Sequence, residues 1–231
     1  LLSQNGVYSH IVSDHLHYFE NGGTGYVNAF DSWDFIRGQE YDPIKVMTQP
    51  PVERLREKFD QRHYPMGDLP SEGNVTRGNS SAEAWRRSRH AINTMFMEDE
   101  QEYPTAKCFK KAFEFLDINN TSDDWFLQLE CFDPHEPFPA PARFRAAYDS
   151  GYKGKILDWP IYEKVTNSAE EVAEIRGNYA ALVAMCDEYF GQLLDWFDRE
   201  DAWDDTALIL TTDHGYLLGE HEWWAKNKMP Y

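Results

Sequence analysis

The stretch Leu208-Ile-Leu-Thr-Thr-Asp-His-Gly-Tyr-Leu-Leu-Gly-Glu-His-Glu-Trp-Trp-Ala-Lys226 decides how this chain is read. Thr206 to Leu210 is a β-branched and aliphatic run, which predicts a short buried strand of a parallel sheet. Gly215 lets the backbone turn sharply where that strand stops. Open α/β sheets collect ligands beyond the carboxyl ends of their strands, so Asp213 and His214 arrive where a site would form. A carboxylate oxygen beside an imidazole suits a divalent cation, and Lys226 brings a compact positive charge to a tetrahedral anion.

A second stretch repeats the pattern. Trp125-Phe-Leu-Gln-Leu-Glu-Cys-Phe-Asp-Pro-His-Glu-Pro-Phe138 is an apolar run emptying into a turn stiffened by Pro134 and Pro137. Fixing φ on either side of His135 lowers the entropy lost when that imidazole is held against a substrate. Between the two stretches, Val172, Ile175, Tyr179, Leu182, Val183, Cys186, Phe190, Leu193, Leu194 and Phe197 recur at steps of three and four. That spacing predicts a packing helix of about seven turns. Asp204 and Asp205 then turn the chain into the Thr206 strand, giving a strand, crossover helix, strand order.

Taken together, these segments resemble the sulfatase family. The match rests on Thr212-Asp-His-Gly215, Leu218-Gly-Glu-His221 and Trp224-Ala-Lys226, in order and spacing, and on Asp133-Pro-His-Glu-Pro-Phe138. The resemblance implies an α/β, alkaline-phosphatase-like three-layer sandwich, with a mainly parallel sheet and helices on both faces. It implies that Asp213 and His214 bind a calcium ion. It further implies that Lys226 contacts the sulfate and reaches toward the leaving oxygen, while His135 hydrogen-bonds the sulfate or protonates that oxygen.

The N-terminal third departs from the family's pattern. Where many sulfatases carry Gly-Lys-x-His, this chain reads Ser13-Asp-His-Leu-His17, without the lysine. In an extended segment alternation places His15 and His17 on one side, so either can face the substrate. The stretch Phe30 to Glu40 resembles a subgroup related to iduronate-2-sulfatase and to bacterial enzymes. His15, His17 and Arg37 are therefore substrate-pocket candidates. The family's nucleophile motif, Cys/Ser-x-Pro-x-Arg, whose first residue becomes formylglycine, does not occur; Cys108, Cys131 and Cys186 lack the required neighbours. The family's upstream Asp-Asp pair is missing too. The chain thus reads as the middle portion of one sulfatase catalytic domain, residues 1–231, expected to be inactive alone.

Composition fits that reading. The 231 residues are 42% hydrophobic and 15% aromatic, enough for a substantial core. A formal net charge of -18 excludes a broad nucleic-acid-binding surface and makes the long-range field repel anions. Screening within about 8 Å at physiological salt confines that repulsion, and a bound cation with Lys226, His135 and Arg37 can invert the potential locally. A short sulfated molecule or saccharide is the expected partner. Nothing is apolar for long enough to span a membrane, and the odd cysteine count leaves the compartment open. Residues 62–81, rich in Pro, Gly, Asn and Ser, predict a surface loop, followed by helices near 82–97 and 105–116. Two other readings compete with sulfate-ester hydrolysis: a phosphonate or phosphate ester hydrolase of the same superfamily, and a non-catalytic relative that keeps the fold.

Overall fold

Three parallel strands organise the chain. The computed structural model describes residues 1–22, 25–45, 47–66 and 82–228. In chain order the strands are β1 (Tyr8–Ser13), β2 (Ser32–Phe35), β3 (Trp125–Glu130), β4 (Leu217–Leu218) and β5 (Trp224–Ala225). The helices are α1 (Val52–Lys58), α2 (Ala82–Thr94), α3 (Pro104–Asn119), α4 (Ala142–Ala147) and α5 (Ala169–Arg199). β1 lies at the centre, between β2 and β3, and both of its pairings are parallel. Tyr8 aligns with Trp125, and Ser13 aligns with both Phe35 and Glu130, so all three strands stop at one level.

The pleat sorts the side chains. His10, Val12, Leu127 and Leu129 face α3, where His10 stacks on Phe115 at 5.0 Å and Val12 packs with Cys108. The opposite face carries Trp33, Phe35 and Phe126. It is covered by short 3-10 turns, Leu16–Gly22 and Val27–Ala29, whose Phe19 stacks on Phe35 at 3.8 Å. α3 and α5 enclose the main core with Phe138, Leu157 and Trp224. A second core joins α1 and α2 around Phe59, Tyr64 and Trp159.

α5 is the helix that the three-and-four spacing predicts. Ile175, Leu182, Leu193 and Phe197 are buried, Trp196 joins them, and Val183 is exposed. Burying a side chain such as Leu182 contributes about 2 kcal/mol. The N-terminus is closed by a capping box: Glu171 N donates to Ser168 Oγ at 3.3 Å, and Ser168 N donates to Glu171 Oε2 at 3.1 Å. Ser168→Ala should therefore lower stability by about 1 kcal/mol, read from a denaturant midpoint at unchanged slope. Gly177 lies within the unbroken helix for a steric reason, since a Cβ there would lie 2.6 Å from the Tyr148 carbonyl oxygen.

The structure corrects three local expectations. Thr206 to Leu210 forms no strand: the run makes no ladder hydrogen bonds, Ile209 and Leu210 are 84% and 72% exposed, and only Leu208 packs on the main core. Strand propensity expresses itself only where a neighbouring edge and an apolar face are both offered. Here α5 is followed by the turn Ala202–Asp204 and then by this unpaired run. The predicted strand, crossover helix, strand unit is accordingly not completed among the described residues. His15 and His17 also do not sit in an extended segment, because the 3-10 turn begins at Leu16. Of the predicted loop 62–81, residues 67–81 lie outside the described residues. Residues 62–66 form a turn, yet Tyr64 and Met66 are fully buried in the second core, so this part is packed rather than superficial. Among the described residues no helix is long and apolar enough to cross a membrane.

Candidate active site

The site lies beyond the common end of β1 and β3. β3 ends at Glu130, and the chain turns through Phe132 and Asp133 to His135, with cis bonds before Pro134 and Pro137. Phe132 N donates to Asp14 Oδ1 at 2.7 Å, which ties this turn to the end of β1. His135 Nδ1 lies 2.6 Å from the Glu136 carbonyl oxygen. A carbonyl can only accept, so the neutral ring carries its proton on Nδ1 and turns the Nε2 lone pair outward. Lys226 Nζ donates to that Nε2, joining residues 91 positions apart. Burial holds the His135 pKa down at about 4, with the Lys226 charge acting in the same direction. The imidazole is therefore neutral at physiological pH.

Lys226 has a rigid mount. β4 and β5 pair antiparallel, Leu217 with Ala225 and Leu218 with Trp224, around a turn that Gly219 makes at φ 97°. Glu220 closes the turn by accepting from Leu218 N at 2.5 Å. Trp224 is 2% exposed, and its Nε1 donates to Asn167 Oδ1 at 3.0 Å. Arg176 Nε donates to Leu218 O at 2.7 Å, fastening the hairpin to α5. In the Leu-Gly-Glu-His stretch, Gly219 and Glu220 thus shape the turn that positions the lysine.

Three imidazoles gather around Phe132. Its ring lies 4.1 Å from His135, 5.3 Å from His15 and 6.4 Å from His17. His15 and His17 meet edge to face at 5.3 Å. The 3-10 turn brings them together, where the sequence reading expected strand alternation to do so. His15 Nδ1 is 3.2 Å from Glu130 Oε1, which also accepts from Tyr18 at 2.6 Å. His17 lies between two carboxylates, Glu20 at 2.8 Å and Glu40 at 3.2 Å, and these raise its pKa to about 9. Glu40 is held in turn by His90, whose Nδ1 donates to the Glu40 carbonyl at 3.0 Å. Arg37 stands apart from this cluster. Asp42 grips it at 2.7 and 2.5 Å, and half of its side chain is exposed.

Asp213 and His214 sit at the rim. The His214 ring is 6.2 Å from that of His135. His214 Nδ1 is 2.9 Å from the Gly215 carbonyl oxygen, and its Nε2 lies 3.4 Å from Asp213 Oδ2. A hard oxygen and an imidazole nitrogen side by side are the types of ligand a divalent cation takes. Among the described residues no cluster of three or more His, Cys, Asp or Glu could hold a metal by itself. Such an ion would need further oxygen ligands.

Sequence reasoning missed the acidic floor. Asp14 and Asp133 are both buried. Asp133 accepts from Gln39 Nε2 at 2.6 Å and from Thr105 Oγ1 at 2.5 Å, while burial raises its pKa from 3.8 to about 6. Burial, then Asp133, pushes Asp14 up as well. Asp133 opens the Asp-Pro-His-Glu-Pro-Phe stretch and Asp14 lies within Ser13-Asp-His-Leu-His17, but neither pattern marks the carboxyl as buried. Because the folded state holds the Asp133 proton more tightly than the unfolded chain does, its contribution to stability falls as pH rises from 3.8 to about 6. Asp133→Asn can keep both partners and removes that dependence. The variant should gain roughly 2–3 kcal/mol relative to the parent between pH 4 and pH 7, measured by denaturant unfolding at both values. A constant difference would contradict the assignment.

A strand-end cluster of imidazoles, a lysine and an adjacent Asp–His pair thus sit together on an α/β frame. Comparison with known proteins gives the family. The family model "Sulfatase" matches residues 1–230, and the chain belongs to the sulfatase family. It is 42% identical over 151 residues to the iduronate 2-sulfatase of Homo sapiens, covering 53% of this chain and 28% of that protein. It is 25% identical over 150 residues to the choline-sulfatase of Rhizobium meliloti (strain 1021), covering 55% of this chain and 29% of that one. The phosphonate monoester hydrolase of Agrobacterium radiobacter superposes with a TM-score of 0.56 at 16% identity, over 99% of this chain and 49% of that chain, a likeness of fold. The chain has the α/β, alkaline-phosphatase-like sulfatase fold and spans less than a third of the length of these curated relatives.

Proposed function

We propose that this chain is part of a calcium-dependent sulfatase that hydrolyses a sulfate ester, with a sulfated small molecule or saccharide as substrate. The contact between Lys226 Nζ and His135 Nε2 carries the reading, because it joins the two family motifs in one place. With Nδ1 on the Glu136 carbonyl and Nε2 on Lys226, His135 takes neither role expected of it, sulfate donor or acid, and serves instead as a neutral partner that orients the lysine. Lys226 then provides the positive charge and the transferable proton. Its ammonium lies against the sulfate oxygens and protonates the leaving oxygen, while His15 and His17 hold the far side of the anion. Asp213 and His214 would hold the calcium ion, which when bound draws electron density from the sulfate oxygens.

The nucleophile motif is absent from these 231 residues, so the reading expects no turnover from residues 1–231 alone. The test is hydrolysis of a chromogenic aryl sulfate by the native full-length protein, with and without calcium, run in parallel with an aryl phosphonate. Calcium-dependent turnover of the sulfate supports the proposal. Preference for the phosphonate would transfer the chain to the alternative hydrolase reading.

A further inference from the structure

The chain's charge is not spread evenly around its imidazole cluster. In a protein of net charge -18, Arg37, Arg86 and Arg89 converge on one cleft of roughly 500 Å3, shared with Trp85 and Tyr41. Its two carboxylates are already engaged: Asp42 grips Arg37, and Glu20 lies 2.8 Å from His17. Arg86 is exposed and rests over the Tyr41 ring at 4.9 Å, with no carboxylate partner among the described residues. Arg89 lies over the Trp85 ring at 4.2 Å. The cleft is thus locally cationic and walled by aromatic faces, and its volume lies in the range of small-ligand sites.

Its position gives it a use. The Tyr41 hydroxyl donates to Glu20 at 3.1 Å and lies 3.3 Å from His17 Nδ1, so the cleft shares a wall with the imidazole cluster around Phe132. A substrate whose sulfate lies at that cluster would extend its next ring along Tyr41 toward Arg86. Resting on the sulfatase reading, we infer that this cleft is a subsite for a second anionic group, a carboxylate or another sulfate, on the neighbouring ring of a sulfated saccharide. The Arg86 guanidinium binds the anion, and the aromatic faces of Tyr41 and Trp85 take the apolar face of the sugar.

The test uses the native full-length protein and three unreactive disaccharides that differ in one substituent on the second ring: hydroxymethyl, carboxylate or sulfate. Calorimetric binding should favour an acidic form over the neutral one by about tenfold, the size of one charge-assisted contact. Comparison of the two acidic forms identifies which anion the cleft takes. Arg86→Gln should remove most of the preference, Arg86→Glu should reverse it, and Arg86→Lys should retain much of it. None of the three should alter turnover of a small aryl sulfate. Equal affinities for all three sugars, or a preference unmoved by Arg86→Glu, overturns the inference. Failure to hydrolyse the aryl sulfate would sink the sulfatase reading alone, because the binding comparison is made without turnover.

Discussion

Replacing Lys226 with alanine is expected to lower kcat/KM for a sulfate ester by on the order of 10²-fold or more, the usual cost of removing one preorganised group from a developing charge. The thermal midpoint should barely move, because the lysine stands on the hairpin rather than in the core, and Trp224 and Ala225 beside it provide the packing. His135→Ala should cause a loss of similar size. It acts on the same unit, so the double variant should be little worse than either single one. The pH profile separates a neutral, lysine-orienting His135 from the leaving-group acid that the family resemblance also allowed. A histidine serving as the protonated acid would give a limb near its ordinary 6.5. A neutral imidazole held at about 4 leaves kcat/KM level through that region. Losses that multiply in the double variant, or a limb near 6.5 that disappears with His135, would contradict the assignment of the proton to Lys226.

Asp213→Ala should remove bound calcium and activity together. Asp213 is 83% exposed on its side chain and makes no hydrogen bond that shapes the core, so its loss should leave the fold intact. The loss of a charged ligand should exceed the roughly 10- to 100-fold reduction in affinity that follows loss of an outer partner. His214→Ala should weaken retention less, since it removes a neutral donor. Metal content by elemental analysis and turnover of the same preparation give both readouts. Normal metal and normal turnover would take Asp213 out of the site.

Much of this was legible along the chain, and the gaps have physical causes. α5 could be read because its apolar stripe is a local property, and β3 because an apolar run met a proline-stiffened turn. The Thr206 to Leu210 run has the same composition as a strand, but pairing depends on an edge that composition does not reveal. His15 and His17 were placed together for the wrong local reason, since a 3-10 turn replaces alternation. Asp14 and Asp133 stand in stretches that could be read, but their burial could not, because it depends on partners far away in sequence, such as Phe132 for Asp14 and Gln39 for Asp133. Arg37 was read as a pocket residue, but nothing in the sequence placed it beside Arg86 and Trp85, which come from a separate helix.

The most direct measurement is kcat/KM for a chromogenic aryl sulfate with the native full-length protein, compared with Lys226→Ala and with the matched aryl phosphonate, all at saturating calcium. The account predicts that the parent prefers the sulfate and that the variant loses at least about 10²-fold while remaining folded. A parent that prefers the phosphonate, or a folded Lys226→Ala variant that turns over the sulfate at the parent's rate, would contradict it.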